Sequence, residues 1–128
     1  MAYEITWENT GAMGVYVRYI GANSDKVVAE IVRNVQADNR FDQLRYELHD
    51  FLECDSVTHT KRTLEDIAAS DVGATLTNSK FVVAVVTTRD DVRAMVQHYK
   101  DLGLHTFAFE IFQDLPSARA WIVKKTAH

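Results

Sequence analysis

The chain has 128 residues, of which 47% are hydrophobic and 25% are charged. These proportions are typical of a folded domain with its own core, and they exclude a disordered or fibrous chain. A formal net charge of -4 and a pI near 5.7 provide no electrostatic attraction to nucleic acid, so we expect no nucleic-acid partner.

The N-terminal part of the sequence predicts a β-hairpin and a helix. Apolar side chains alternate along residues 3–8 and predict a first strand. Turn-forming residues at 9–14 then separate it from a second strand at residues 15–20. Ser24 is placed to cap a first helix, whose apolar positions recur at helical spacing to about Ala37.

The middle of the chain predicts a third strand and a second helix. Residues 44–51 alternate, which places Tyr46, Leu48 and Asp50 on an apolar side and Arg45, Glu47 and His49 on a polar side. Residues 53–61 are polar and predict an irregular loop. Thr60 can cap the second helix, whose few apolar positions are Leu64, Ile67, Ala68, Val72 and Leu76.

The last third predicts two more strand–helix pairs. Residues 81–86 form an unbroken apolar run, typical of a central strand that is covered on both faces. Thr88 and Asp91 resemble a capping box for a third helix, which Gly103 would end. A fifth strand through residues 107–111 and a helix beginning at residues 114–116 complete the order ββαβαβαβα. This order predicts an α/β fold with a mixed sheet of about five strands, covered by about four helices.

Several strings in this order resemble the SpoIIAA-like family of small bacterial proteins, relatives of STAS domains and of CRAL-TRIO lipid carriers. The resembling segments are residues 14–18, 38–46, 49–51, 64–69, 82–86 and 117–122. The resemblance covers nearly the whole chain. It implies one SpoIIAA-like (STAS-like) domain spanning residues 1–128.

The same resemblance draws attention to the start of the second helix. In anti-sigma-factor antagonists of the STAS class, an Asp-Ser-Ser-Gly-like string after the third strand carries a phosphorylated serine. The matching residues here are 58–61, and His59 stands at the phosphoacceptor position. Thr60 keeps a hydroxyl nearby, where a phosphate would be stabilised by the helix dipole and by Lys61 and Arg62. The resemblance thus implies a regulatory protein docking at His59, Thr60, Lys61 and Arg62.

Cys54 raises the question of catalysis. With His59 as base and Asp50 or Asp55 as a third group, it could form a nucleophilic site in the loop after the third strand. The simpler interpretation makes Cys54 a small buried or half-buried apolar residue and His59 an exposed loop or cap residue. Asp50, at the strand end, would accept hydrogen bonds from backbone N–H groups of the following loop. The five-residue separations of His49, Cys54 and His59 match no compact zinc pattern. We therefore predict no catalytic residue, metal or cofactor.

The cysteine content and the hydropathy of the sequence predict the cellular location of the protein. A single cysteine is typical of a reducing compartment. The longest apolar run, residues 81–86, is far shorter than the roughly 20 residues that span a bilayer, and no basic stretch followed by an apolar one opens the sequence. We expect a cytoplasmic protein, free or peripheral at the membrane. A homodimer is an open alternative.

The second helix suggests a function as a non-enzymatic binding or regulatory module. Residues 60–76 include many small or polar side chains and few large ones, so this helix would be a weakly packed lid. An open lid would expose apolar sheet to a lipid-like molecule or a membrane surface. The residues expected to bind such a ligand are Tyr46, Leu48, Asp50, Leu64, Ile67 and Phe81.

Overall fold

The computed structural model describes residues 2–127. Its elements are β1 (Tyr3–Asn9), β2 (Met13–Ser24), α1 (Asp25–Ala37), a single 3-10 turn (Phe41–Gln43), β3 (Tyr46–Thr58), α2 (Lys61–Thr75), β4 (Val82–Val86), α3 (Asp90–Asp101), β5 (Phe109–Phe112) and α4 (Leu115–Thr126). The predicted order of strands and helices is confirmed. None of the helices in residues 2–127 has both the length and the apolar character needed to cross a bilayer.

The five strands form one mixed sheet in the spatial order β1-β2-β3-β4-β5. β1 pairs antiparallel with β2, and the other three pairings are parallel. β4 is buried along its whole length between β3 and β5, as the apolar run at residues 81–86 predicts. β3 is the central strand and links the hairpin to the parallel half of the sheet.

The helices divide unequally between the two faces of the sheet. α1, α2 and α3 lie over one face, where they enclose the larger apolar core. α4 packs alone on the other face against β3, β4 and β5. α2 lies between α1 and α3 and packs against both of them. The three helices thus form a layer with α2 at its middle.

β3 is longer than the sequence pattern predicts. The polar stretch at residues 53–61 was expected to be a loop, but the strand continues to Thr58. It can do so because β2 runs to Ser24 and pairs with it, with irregularities in register on either side of Ile20 and Gly21. Cys54 and Val57 are buried along this extension, while Glu53 and Asp55 are exposed.

The prediction that β3 has a polar side was also wrong. Glu47 is 4% exposed and His49 is 6% exposed, so both faces of the strand are buried between layers of helices. A parallel sheet is normally covered in this way on both sides. Polar side chains in such a strand must find hydrogen-bond partners inside the protein.

Helix ends agree with the sequence in part. Ser24 precedes α1 as expected, but its side chain makes no capping hydrogen bond. The Thr60 hydroxyl accepts a hydrogen bond from the Thr63 N–H, which confirms Thr60 as the cap of α2. Gly103 follows α3 with a φ of 68°, a conformation that favours glycine. The capping box expected at Thr88 and Asp91 is wrong: the residue before α3 is Arg89, whose side chain makes no cap. Asp91 instead accepts a hydrogen bond from the Val57 N–H of β3.

Candidate functional site

A cavity of about 70 Å³ lies between the sheet and the layer formed by α1, α2 and α3. α2 closes it from above with Leu64, Ile67 and Asp71. Its lining is mainly aliphatic and aromatic and comprises Val28, Val32, Glu47, His49, Phe51, Leu64, Ile67, Asp71, Phe81, Val83, Val85, Met95, Val96, Tyr99, Phe107 and Phe109. Four of these side chains are polar: Glu47, His49, Asp71 and Tyr99.

Strand alternation brings the first two polar side chains into the cavity. Successive side chains of a strand point to opposite faces, so Glu47, His49 and Phe51 face α1, α2 and α3. Tyr46 and Leu48 point to the opposite face and belong to the core beneath α4. The central strand therefore supplies the polar groups on the floor of the cavity.

The floor holds a buried hydrogen-bonded chain of three side chains. Glu47 Oε1 lies 2.9 Å from His49 Nε2, and His49 Nδ1 lies 2.9 Å from the Tyr19 hydroxyl. A neutral imidazole satisfies both contacts, because Nε2–H donates to Glu47 while Nδ1 accepts from Tyr19. Burial, followed by the charge of Glu47, raises the pKa of Tyr19 well above its ordinary value. Tyr19 therefore stays a hydroxyl, and its bond to His49 holds the ring that contacts Glu47.

The roof holds a second polar group centred on Asp71 of α2. Its carboxylate accepts hydrogen bonds from Gln36 Nε2 at 2.8 Å and from the Tyr99 hydroxyl at 2.5 Å. Gln36 in turn accepts from Ser70 Oγ at 2.6 Å. Burial, followed by the negative charge of Glu47, raises the pKa of Asp71 to about 7. The charge of Glu47 on the floor thus affects the pKa of Asp71 on the roof of the same largely apolar cavity.

The aromatic part of the lining forms a continuous cluster at the β5 end of the cavity. Phe81 and Phe107 have ring centroids 5.0 Å apart, and Tyr99 and Phe109 have centroids 5.6 Å apart. Phe107 and Phe109 join the two pairs at 6.1 Å. Such a cavity can surround an apolar group with ring surface while Glu47 and Asp71 offer hydrogen-bond acceptors.

The ligand-binding residues expected from the sequence are split between the two faces of the sheet. Leu64, Ile67 and Phe81 line the cavity. Tyr46 and Leu48 do not, because they belong to the core under α4 on the opposite face. The expected set combined residues of the apolar side of β3 with residues of α2, which covers the other side.

Asp50 also lies outside the cavity, on the face of Tyr46 and Leu48. Its carboxylate accepts hydrogen bonds from the Leu52 N–H at 2.9 Å and from the Tyr16 hydroxyl at 2.5 Å. Asp50 was expected to accept backbone N–H groups from a loop after the strand; it does accept a backbone N–H, but the donor, Leu52, lies within β3 because the strand continues to Thr58. Burial and the bond to Asp50 raise the pKa of Tyr16. Asp50 thus links β2 to β3.

Cys54 and His59 do not form the pair that catalysis would require. The buried Cys54 thiol donates to the Ser56 carbonyl at 3.2 Å, and burial raises its pKa. His59 instead lies 2.6 Å from His98, measured from Nε2 to Nδ1. Within residues 2–127, no three His, Cys, Asp or Glu side chains are grouped so that they could hold a metal ion.

The expected docking residues surround the start of α2. A groove of about 440 Å³ there is lined by His59, Lys61, Leu64, His98, Asp101 and Leu102. Thr60 is exposed, and its hydroxyl is engaged as the cap of α2. The Arg62 side chain points into solvent, 3.9 Å from Asp66.

Sequence reasoning missed the polar groups of the cavity. Glu47 and His49 were assigned to a solvent-facing side of β3, although the apolar residues on both sides of them are compatible with burial. Asp71 follows Leu64 and Ile67 by seven and four residues, which places it on the buried face of α2. This spacing in the sequence could have identified Asp71 as a buried residue. The apolar residues expected instead, Val72 and Leu76, are exposed.

Comparisons with known proteins support the fold. No protein-family model matches the chain, and no curated protein matches it. A solved structure from Shewanella loihica PV-4, described as an uncharacterized protein of the DUF3478 family with a SpoIIAA-like fold, is similar over 94% of this chain and 93% of its own. The TM-score is 0.54 at 15% sequence identity. The chain therefore has a SpoIIAA-like fold.

Proposed function

We propose that this domain binds a small molecule with an apolar body and a polar head in the cavity beneath α2, and that it acts by binding rather than by catalysis. The observation that carries this proposal is the pair of buried carboxyl groups, Glu47 and Asp71, inside an otherwise apolar lining. Buried carboxyl groups are costly unless they are hydrogen-bonded, and these two have partners inside the protein while they also face the cavity. Ligand sites combine apolar walls with a few polar groups in this way.

The position of α2 supports its role as a lid. The cavity separates part of α2 from the sheet, so its packing partners are its neighbours α1 and α3. Leu64 and Ile67 are the only large aliphatic side chains of α2 that are buried, whereas Val72 is exposed. A cavity of about 70 Å³ has room for a few waters at about 15 Å³ each. A longer ligand would therefore enter by outward movement of α2.

The test is a titration of the protein with 1-hexanol, followed by NMR of the methyl groups. We expect saturable shifts at Leu64, Ile67, Met95 and Val83, which line the cavity. Val83→Phe would fill the cavity from β4 and weaken binding at least tenfold. Val123→Phe is the matched control, since Val123 is 63% exposed on α4 across the sheet.

Two outcomes would reject the proposal. One is a set of shifts confined to exposed apolar residues such as Leu76 and Leu104. The other is unchanged affinity in a folded Val83→Phe variant. If Val83→Phe does not fold, Leu64→Phe fills the same space from α2 and is judged by the same criterion.

Docking of a regulatory protein at the start of α2 is the second candidate. The groove lined by His59 and Lys61 favours it. A phosphate on Thr60 would have to replace a hydroxyl that already caps α2. We place this candidate second because its residues lack the buried polar groups that mark the cavity.

A further inference from the structure

We infer that the ligand of the cavity beneath α2 is an organic ammonium ion with a short apolar body. This inference rests on the proposed function and adds the chemical class of the ligand. Its basis is the combination of two acidic side chains with an aromatic lining in one cavity. We infer the class of ligand from charge complementarity with these side chains and from the aromatic rings that line the cavity.

The charge of the lining is the first argument. Glu47 on the floor and Asp71 on the roof are its two acidic side chains, and no lysine or arginine contributes to it within the described residues. Both ring nitrogens of His49 are already engaged, one by Glu47 and the other by Tyr19. Lys100 lies outside the cavity, where its ammonium donates to the Phe109 carbonyl. The interior is therefore electronegative.

The energetics favour a cation over an anion in this space. Glu47 and Asp71 have already lost their water when the protein folds, so a cation entering the cavity gains their attraction without a further desolvation cost for the carboxylates. Burial and then the charge of Glu47 raise the pKa of Asp71, and His49 opposes this shift only in part. A carboxylate or phosphate head would be repelled by the same two groups.

The aromatic lining is the second argument. Phe51, Phe81, Tyr99, Phe107 and Phe109 all line the cavity, and ring faces attract ammonium groups at distances within about 6 Å. The hydroxyl of Tyr99 donates to Asp71, so an aromatic ring and a carboxylate lie side by side in the cavity lining. Aliphatic side chains of α1 and α2 complete a surface for the apolar body of the ligand.

The experiment compares three ligands with the same six-carbon chain: 1-hexylamine, 1-hexanol and hexanoate. Each is titrated into the protein at pH 7.5, where the amine is protonated because aliphatic amines have pKa values of about 10.4. Methyl NMR at Leu64 and Ile67 reports binding. We expect hexylamine to bind at least tenfold more tightly than hexanol, and hexanoate to bind most weakly.

Variants then test the residues responsible for the preference. Asp71→Asn and Glu47→Gln should each reduce the ratio of amine affinity to alcohol affinity at least fivefold. Asp66→Asn removes the same charge from an exposed position on α2 and should leave the ratio unchanged. Glu47→Gln serves if Asp71→Asn does not fold.

The outcomes separate the two proposals. Binding of hexanol that equals or exceeds that of hexylamine, or a preference for hexanoate, would overturn the ammonium inference and leave the cavity as a ligand site. An unchanged ratio in folded Asp71→Asn and Glu47→Gln would also overturn it. Failure of all three compounds to bind would reject the inference together with the proposed function.

Discussion

Replacing Gly14 with alanine is expected to destabilise the fold by about 3 kcal/mol, at the upper end of the usual cost of overpacking. A Cβ atom at residue 14 would lie 2.0 Å from Cζ of Tyr46 and 2.2 Å from its Cε1. The two residues are paired across β2 and β3, and the Tyr46 ring lies over the glycine. No side chain fits beneath that ring unless it moves.

The Tyr46 ring is held in place at its far end. Its hydroxyl donates to Glu8 Oε1 of β1 at 2.5 Å and lies 3.3 Å from the Thr10 hydroxyl. Glu8 is also bonded to Arg119 of α4 at 2.6 Å. Moving the ring would break this connection between β1, β3 and α4, so the clash cannot be relieved cheaply.

Urea denaturation measures the effect, and a double-mutant cycle with Tyr46→Ala identifies its cause. Once the ring is absent, Gly14→Ala should cost less than about 0.5 kcal/mol, the range of an ordinary substitution away from such features. A cost of several kcal/mol that persists in the Tyr46→Ala background would show that the ring is not responsible.

The stability of wild type relative to Asp71→Asn is expected to fall by about 4 kcal/mol as the pH rises from 4 to 8. The pKa of Asp71 is raised from its ordinary value of 3.8 to about 7, chiefly by burial and then by the charge of Glu47. Each tenfold change in proton affinity between folded and unfolded states corresponds to about 1.4 kcal/mol. Asparagine at this position has no proton to lose.

The sign follows from proton binding. Between pH 3.8 and about 7 the folded protein holds a proton on Asp71 that the unfolded chain has released, so stability decreases as the pH rises through this window. Above about pH 7 both states are ionised and the loss is complete. The groups facing Asp71 are Glu47 and His49 of β3, Gln36 of α1 and Tyr99 of α3.

Denaturation of both proteins at several pH values tests this expectation. The difference in unfolding free energy between the two proteins is the quantity to compare, since carboxyl groups that do not interact with Asp71 titrate equally in both. Asp38→Asn is an instructive control, because hydrogen bonds from Arg40 lower the pKa of the half-buried Asp38 to about 2. Its difference from wild type should change in the opposite direction, mainly between about pH 2 and 4, and should be nearly constant from pH 4 to 8. A difference for Asp71→Asn that is constant from pH 4 to 8 would contradict the account.

Much of the architecture could be predicted from residues whose pattern has one physical explanation. The unbroken run at residues 81–86 is compatible only with burial on both faces, and β4 has that position. Thr60 and Gly103 marked helix ends through local backbone chemistry, which does not depend on distant contacts. The hairpin of β1 and β2 followed from alternation and turn residues.

The cavity could not be predicted because it depends on pairing between distant segments. Glu47 and His49 satisfy each other and Tyr19 inside the protein, and alternation alone cannot distinguish this arrangement from exposure to water. The prediction that Tyr46 and Leu64 bind the same ligand was wrong for a related reason. The sequence indicated that α2 covers the sheet, but tertiary packing decides which face it covers.

The most direct test of the central claim is a crystal structure of the protein grown with 1-hexanol and, separately, with 1-hexylamine. The account predicts continuous density for a six-carbon chain between α2 and β4, bounded by Leu64, Val83 and Phe81, with its polar head near Asp71 and Glu47. Density for ordered water alone in this space, or an alkyl chain bound only elsewhere on the protein, would contradict it.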